Sequence, residues 1–115
     1  MIRKVNLQKA VDNVLELFQY TEIGKLNNHV LNVLKAENRT LDFHVHENSD
    51  ELFYVIEGTF EIELDNDIIA MEKGDIIVIH KGVRHRPICK SLVKCLLIEL
   101  EGTLNKENTG GNKNG

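Results

Sequence analysis

An all-β sandwich or barrel carrying one short N-terminal amphipathic helix is the fold this sequence predicts. Three observations carry it. Short runs rich in Val, Ile, Leu and Phe fill the chain from about residue 28 onward. Turn residues part those runs every roughly eight to twelve positions, the habit of antiparallel sandwiches and barrels. Ahead of them, and only there, apolar residues recur with a helical period.

The helical part comes first. Between Asn6 and Gln19 the apolar residues are Leu7, Ala10, Val11, Val14, Leu15 and Phe18, which share one stripe of a 3.6-residue period. Asn6 stands where an N-cap is wanted. Residues 1–20 are therefore expected as a helical segment packed on the domain that follows.

That domain is expected over residues 21–105. Its runs are "HVLNVLKAE", "RTLDFHVH", "ELFYVIE", "TFEIELD", "DIIAME", "DIIVIH" and "VKCLLIELE". The turns between them are expected at Glu37-Asn38, Asn48-Ser49-Asp50, Glu57-Gly58, Asp65-Asn66-Asp67, Lys73-Gly74 and Lys81-Gly82. "TFEIELDNDIIAM" reads as a hairpin with Asp65-Asn66-Asp67 at its tip. Residues 106–115, "KENTGGNKNG", hold no apolar side chain. Nothing there offsets the entropy of ordering, so a flexible polar tail is expected.

Composition bounds the function. A chain of 115 residues suffices for one core, and 42% hydrophobic with 28% charged residues is ordinary for a globular domain. The net charge of −4 argues against nucleic acid or an anionic membrane as partner. No apolar run approaches the roughly 20 residues of a spanning helix, and the N-terminus lacks the apolar core of a signal peptide. A cytoplasmic location is expected. If Cys89 and Cys95 share one extended strand they lie about 20 Å apart, at roughly 3.3 Å per residue. That is too far for a disulfide, and buried free thiols suit a reducing compartment.

The chemistry gathers in "HVHENSDELFYVIEG", His44 to Gly58. Residues two apart on a strand share a face, so His44 and His46 project together with Asp42, opposite Leu41, Phe43 and Val45. Taken alone, this pair reads first as two solvated histidines on a surface strand. Glu51 changes that reading, because it shares its face with Phe53 and Val55, and an unpaired buried carboxylate is costly. A cation would remove the cost and recruit the imidazoles. His85 follows later in "KGVRHRP". Three imidazoles and one carboxylate suit a divalent first-row ion such as zinc, iron, manganese or nickel. An octahedral ion on four protein donors keeps two positions open.

These residues resemble the two motifs of the cupin family. His44, His46, Glu51 and Gly58 match the first, with four residues between His46 and Glu51 and six between Glu51 and Gly58. Gly74, "DIIVI", His80-Lys81-Gly82 and His85 match the second. Asn38, His80 and Cys89 stand where the family has glycine, proline and asparagine, and none of these is a ligand position. "DELFYVIEG", "KGVRHRP" and "EGTLN" look like the small single-domain cupins grouped as mannose-6-phosphate isomerase-like, over roughly residues 5–105. The resemblance implies a double-stranded β-helix, or jelly-roll barrel, with a metal in its mouth held by His44, His46, Glu51 and His85. It also implies a homodimer, for which the apolar face at Leu41, Phe43 and Val45 supplies a motive.

Other residues weigh less. His80 fills a strand end and is a candidate substrate contact, as is Phe53 on the inner face. Lys81, Arg84, Arg86 and Lys90 form a basic loop that reads first as solvated, with Arg84 the candidate to meet an anionic substrate. By strand parity Tyr54 and Glu63 face away from the lumen. Three functions are then open. One is a metal-dependent enzyme, an isomerase, lyase or iron dioxygenase, acting on a small polar or anionic metabolite. Another is a binding or sensing module that holds such a ligand unchanged. The third is a scaffold with a structural metal.

Overall fold

The computed structural model describes residues 2–103, so the expected tail at 106–115 lies outside it. A helix α1 (Leu7–Asp12) precedes eight strands: β1 (Thr21–Leu26), β2 (His29–Ala36), β3 (Arg39–Thr40), β4 (Glu51–Glu63), β5 (Ile68–Glu72), β6 (Ile76–Ile79), β7 (Arg86–Cys89) and β8 (Val93–Leu100). All pairings are antiparallel. The fold is the all-β double-stranded β-helix with one short helix.

β4 organises it. Its first half lies between β6 and β8, and its second half between β5 and β7. One strand thus serves both layers of the barrel. It changes layers at a bulge between Val55 and Glu57, followed by Gly58 at φ 88°. A side chain at Gly58 would also run into the backbone of Leu92 and Val93, so two separate constraints demand glycine there. The bulge flips the inward parity. Glu51, Phe53 and Val55 face the lumen before it, and Phe60 and Ile62 after it.

Two apolar clusters result. The barrel interior holds Leu34, Phe53, Val55, Phe60, Ile62, Met71, Ile79 and Leu97 among others. The second cluster lies outside the barrel wall, where Val11 and Val14 cover Val33 and Ile56. α1 is the cover. Asn6 caps it, its side-chain oxygen accepting from Lys9 N at 2.9 Å.

The structure corrects several expectations. The helix ends at Asp12 with Asn13 as its C-cap, well short of Gln19. Phe18 adopts φ 59° and donates its N–H to the Lys35 carbonyl, which turns the chain and swings the Phe18 ring onto the interior cluster. Leu15 is left 93% exposed. Glu57-Gly58 is a bulge within β4 and makes no turn. β1 and β7 are strands the sequence reading passed over, whereas most of 39–46 is irregular, with regular pairing only at Arg39–Thr40. The hairpin at Asp65–Asp67 forms as expected, with Glu63 opposite Ile68. Leu41 is buried inside, and the ring of Phe43 lies under Arg84 and Arg86, so these two do not form an open apolar outer face. Cys89 and Cys95 are free and buried, on two different strands. Among the described residues no helix is long and apolar enough to cross a membrane.

Candidate metal centre

The end of the barrel where β4 begins gathers the predicted donors. His44 and His46 arrive on an irregular segment that needs fastening, and three backbone ties supply it. His44 N donates to the His85 carbonyl at 2.9 Å, His85 N donates back to the His44 carbonyl at 3.0 Å, and Gly82 N donates to the His46 carbonyl at 2.9 Å. The two halves of the site, which lie far apart in sequence, are thereby pinned to one another. Asp50 adds a clamp by accepting from Lys81 N at 2.8 Å.

One donor atom from each of His44, His46, Glu51 and His85 lies within 4.8 Å of all the others. An ion with bonds of about 2.1 Å sets trans donors roughly 4.2 Å apart, so the cluster needs only a small contraction to close on one. His46, Glu51 and His85 are almost wholly buried, while His44 is half-buried and marks the open side.

The proton arrangement also fits a cation. His85 Nδ1 lies 2.9 Å from the Val83 carbonyl, and His44 Nδ1 lies 2.8 Å from the Asp42 carbonyl. A carbonyl only accepts, so both Nδ1 atoms carry hydrogen and each neutral ring turns a lone pair on Nε2 inward. His85 Nε2 then stands 3.0 Å from Glu51 Oε1, and His46 Nε2 stands 3.1 Å from Glu51 Oε2. In the His85–Glu51 contact two acceptors at that distance need a proton or a cation between them. Metal-ligating histidines show this same pattern of Nδ1 bonded to a carbonyl.

Electrostatics at the site has two opposing parts. Burial by itself raises the Glu51 pKa, but when protons rather than a cation fill the gap, hydrogen bonds from His46 and His85 and their charge outweigh it and bring the carboxyl down to about 2. His44 shifts in the same direction for a different cause. Burial lowers its pKa, which favours the neutral, ligating form.

The remaining candidates separate. Phe53 faces the interior beside Phe60, with ring centroids 5.7 Å apart. His80 points outward, 74% exposed, with Nδ1 3.4 Å from Asp50. Arg84 pairs with Asp65 and stacks on Phe43, Arg86 pairs with Glu63, and Lys90 faces Glu61. The structure therefore brings together the four metal candidates, sets Phe53 one inward position beyond Glu51, and leaves His80 and Arg84 on the outer side of the loop.

Two residues near the site escaped the sequence reading. Glu99 is 1% exposed and stands directly across from Glu51 on β8. Its signal was present: in "VKCLLIELE" the inward set Val93, Cys95, Leu97 ends in an acid, the same pattern that exposed Glu51 on β4. Tyr20 is the other. Burial raises its hydroxyl pKa, and the charges of Glu51 and Glu99 raise it further. It lies in a short irregular segment before β1, which carries no periodic signal.

The cupin-domain family profile matches residues 33–101, a span holding all four donors. The protein YdbB of Bacillus subtilis is 32% identical over 87 residues, covering 75% of this chain and 76% of that one. A cupin-2 domain protein from Shewanella frigidimarina superposes with a TM-score of 0.80 at 29% identity, over 84% of this chain and 94% of the other. The protein NMB1881 of Neisseria meningitidis gives 0.76 at 23% identity, over 86% and 100%.

Proposed function

The chain belongs to the cupin-domain family, and from that premise we propose that it holds one divalent ion on His44, His46, Glu51 and His85 and uses it to bind and transform a small polar or anionic metabolite. The observation that carries the reading is the inward-facing set of lone pairs around Glu51, which a cation resolves. When bound, the ion would polarise an oxygen of the ligand and orient it.

The chain's own residues do the rest. His46, Glu51 and His85 exclude water from the buried side, and half-buried His44 faces the approach. Arg84, Arg86 and Lys90 already have carboxylate partners, so the ion is the main counter-charge for an anion. A carboxylate or a sugar-like pair of oxygens suits that better than a phosphate needing several cations, and the isomerase label of the resembling group stays a proposal. The engaged basic loop also supports the second reading, a binding or sensing module that holds its ligand unchanged.

The identity of the ion is proposed as zinc, iron, manganese or nickel, since mixed imidazole and carboxylate donors serve all four. We place the protein in the cytoplasm, where buried free thiols persist. We also propose a homodimer, for which exposed Ile68, Ile76 and Val78 on β5 and β6 supply apolar surface. Elemental analysis of the native protein tests the core of the reading. About one ion per chain is expected, falling more than tenfold in His46→Ala. Metal well below one per chain under every loading condition would falsify it.

A further inference from the structure

Beneath the metal candidates the lumen changes character. Glu51 faces Glu99 across β4 and β8; two residues deeper, Phe53 faces Leu97, and after them Val55 faces Cys95. Each step of two residues carries the wall roughly 7 Å along the barrel. At this depth lies a cavity of about 30 Å³, bounded by Leu34, Ala36, Phe53, Phe60, Cys95 and Leu97 with a few neighbours. Tyr20 borders it too, and the register places the cavity one inward position below the Glu51–Glu99 pair, at Phe53 and Leu97.

Its walls bear almost no polar atoms. Among the lining side chains only those of Tyr20, Cys89 and Cys95 carry a polar group, and burial holds both thiols in the protonated form. A space of this kind stays dry and takes an apolar guest, and one water-sized sphere occupies about 10–15 Å³ of such volume. The room is therefore for roughly two or three heavy atoms. Close-packed interiors seldom leave voids this size.

We propose that this cavity is the specificity subsite of the metal centre. The ligand is a small chelating oxygen head with a short hydrocarbon arm of about two or three carbons directed down the barrel. This rests on the metal-centre reading and narrows it. The head selects for two adjacent oxygens, and the arm excludes sugars, whose hydroxyls would find no partner between Phe53 and Leu97. Longer or branched arms meet Phe60 and Ala36.

Alkyl hydroxamates test this, since the bidentate head is constant while the arm grows. Binding of formo-, aceto-, propiono-, butyro- and hexanohydroxamate to the zinc-loaded full chain is measured by calorimetry. Affinity is expected to rise about fourfold per added methylene, the equivalent of about 0.8 kcal/mol each. The rise should stop after two or three carbons. Ala36→Leu, which fills the cavity, should bring the propiono- to formohydroxamate ratio close to one, and the milder Ala36→Val should halve it or more. A flat series in the wild type, or an undiminished rise in both variants, overturns the proposal. Failure of the metal-centre reading shows separately, as equal binding to zinc-loaded and zinc-free protein. Xenon then judges the cavity alone. Shifts of the Leu34 and Leu97 methyl signals in zinc-free wild type, lost in Ala36→Leu or Ala36→Val, support it; their absence in the wild type overturns it.

Discussion

Two levels of one barrel make an instructive pair. The upper level is His46, Glu51, His85 and Glu99; the lower is Phe53, Val55, Cys95 and Leu97. Glu51 and Glu99 above share β4 and β8, and the same inward parity, with Phe53, Val55, Cys95 and Leu97 below, and every side chain of both levels is buried. Their energetics are opposite. The lower level stabilises the fold by removing apolar surface from water, at about 25 cal/mol per Å². The upper level takes charge out of water and depends on the contacts of Glu51 with two imidazoles to keep that carboxylate ionised. Burial pattern thus says which side chains face inward. What they are there for comes from the chemistry placed on that parity.

If the lower level carries stability, Leu97→Ala should cost roughly 2–5 kcal/mol, measured by urea unfolding of the metal-free protein. A cost under about 1 kcal/mol would mean the barrel collapses readily at that depth, and the contrast would weaken. If the upper level is built for an ion, zinc at a hundred times its dissociation constant should stabilise the wild type by about 2.7 kcal/mol. The same addition should leave Glu51→Leu unmoved; an equal gain in that variant would place zinc elsewhere.

Groups beside the two levels, His44 above and Cys89 below, should fail at opposite ends of the pH scale. Free His44 titrates near 6.5 and its folded value is lower, so the unfolded chain takes up a proton first, and stability falls as pH drops through that range. Glu51 adds a second loss below 4.5 that completes near 2. Cys89 behaves in the reverse sense. Its pKa is raised by burial from 9.0 to about 11, so its contribution is intact below 9 and is lost as pH rises through 11. Urea midpoints of the metal-free protein across pH 4 to 11 should form a dome, and Cys89→Val should soften only its alkaline side. The smallest effect is the most pointed. In metal-free protein, Glu51→Leu should flatten the loss of stability below pH 4.5, because the carboxyl that titrates there is gone. An unchanged acid limb would place that titration on another group.

Much of this was legible in the sequence. The donor set and the barrel were readable because strand alternation and the cupin motifs are local patterns. The hairpin at Asp65–Asp67 was readable from its turn residues. The limits of the reading have physical causes. The stripe from Leu7 to Phe18 fits a helix over its whole length, yet tertiary contacts end the helix at Asp12 and send Phe18 inward through a left-handed backbone. Glu57-Gly58 carries the same residues as a turn, and only the close approach of Leu92 and Val93 shows it to be a bulge. Glu99 repeats the signature of Glu51, but its role depends on a cross-strand partner that no local window contains.

The reciprocal backbone bonds between His44 and His85 have one more consequence. They close a loop of some forty residues at its narrowest point, so the amide hydrogens of these two histidines can exchange with solvent only when the mouth of the barrel opens. The donors cannot separate without breaking that pair, and an ion gripping both rings would slow the opening. Those two amides are therefore a built-in clock for the site, one that reads its closure in a deuterium-exchange experiment whether or not any substrate is known.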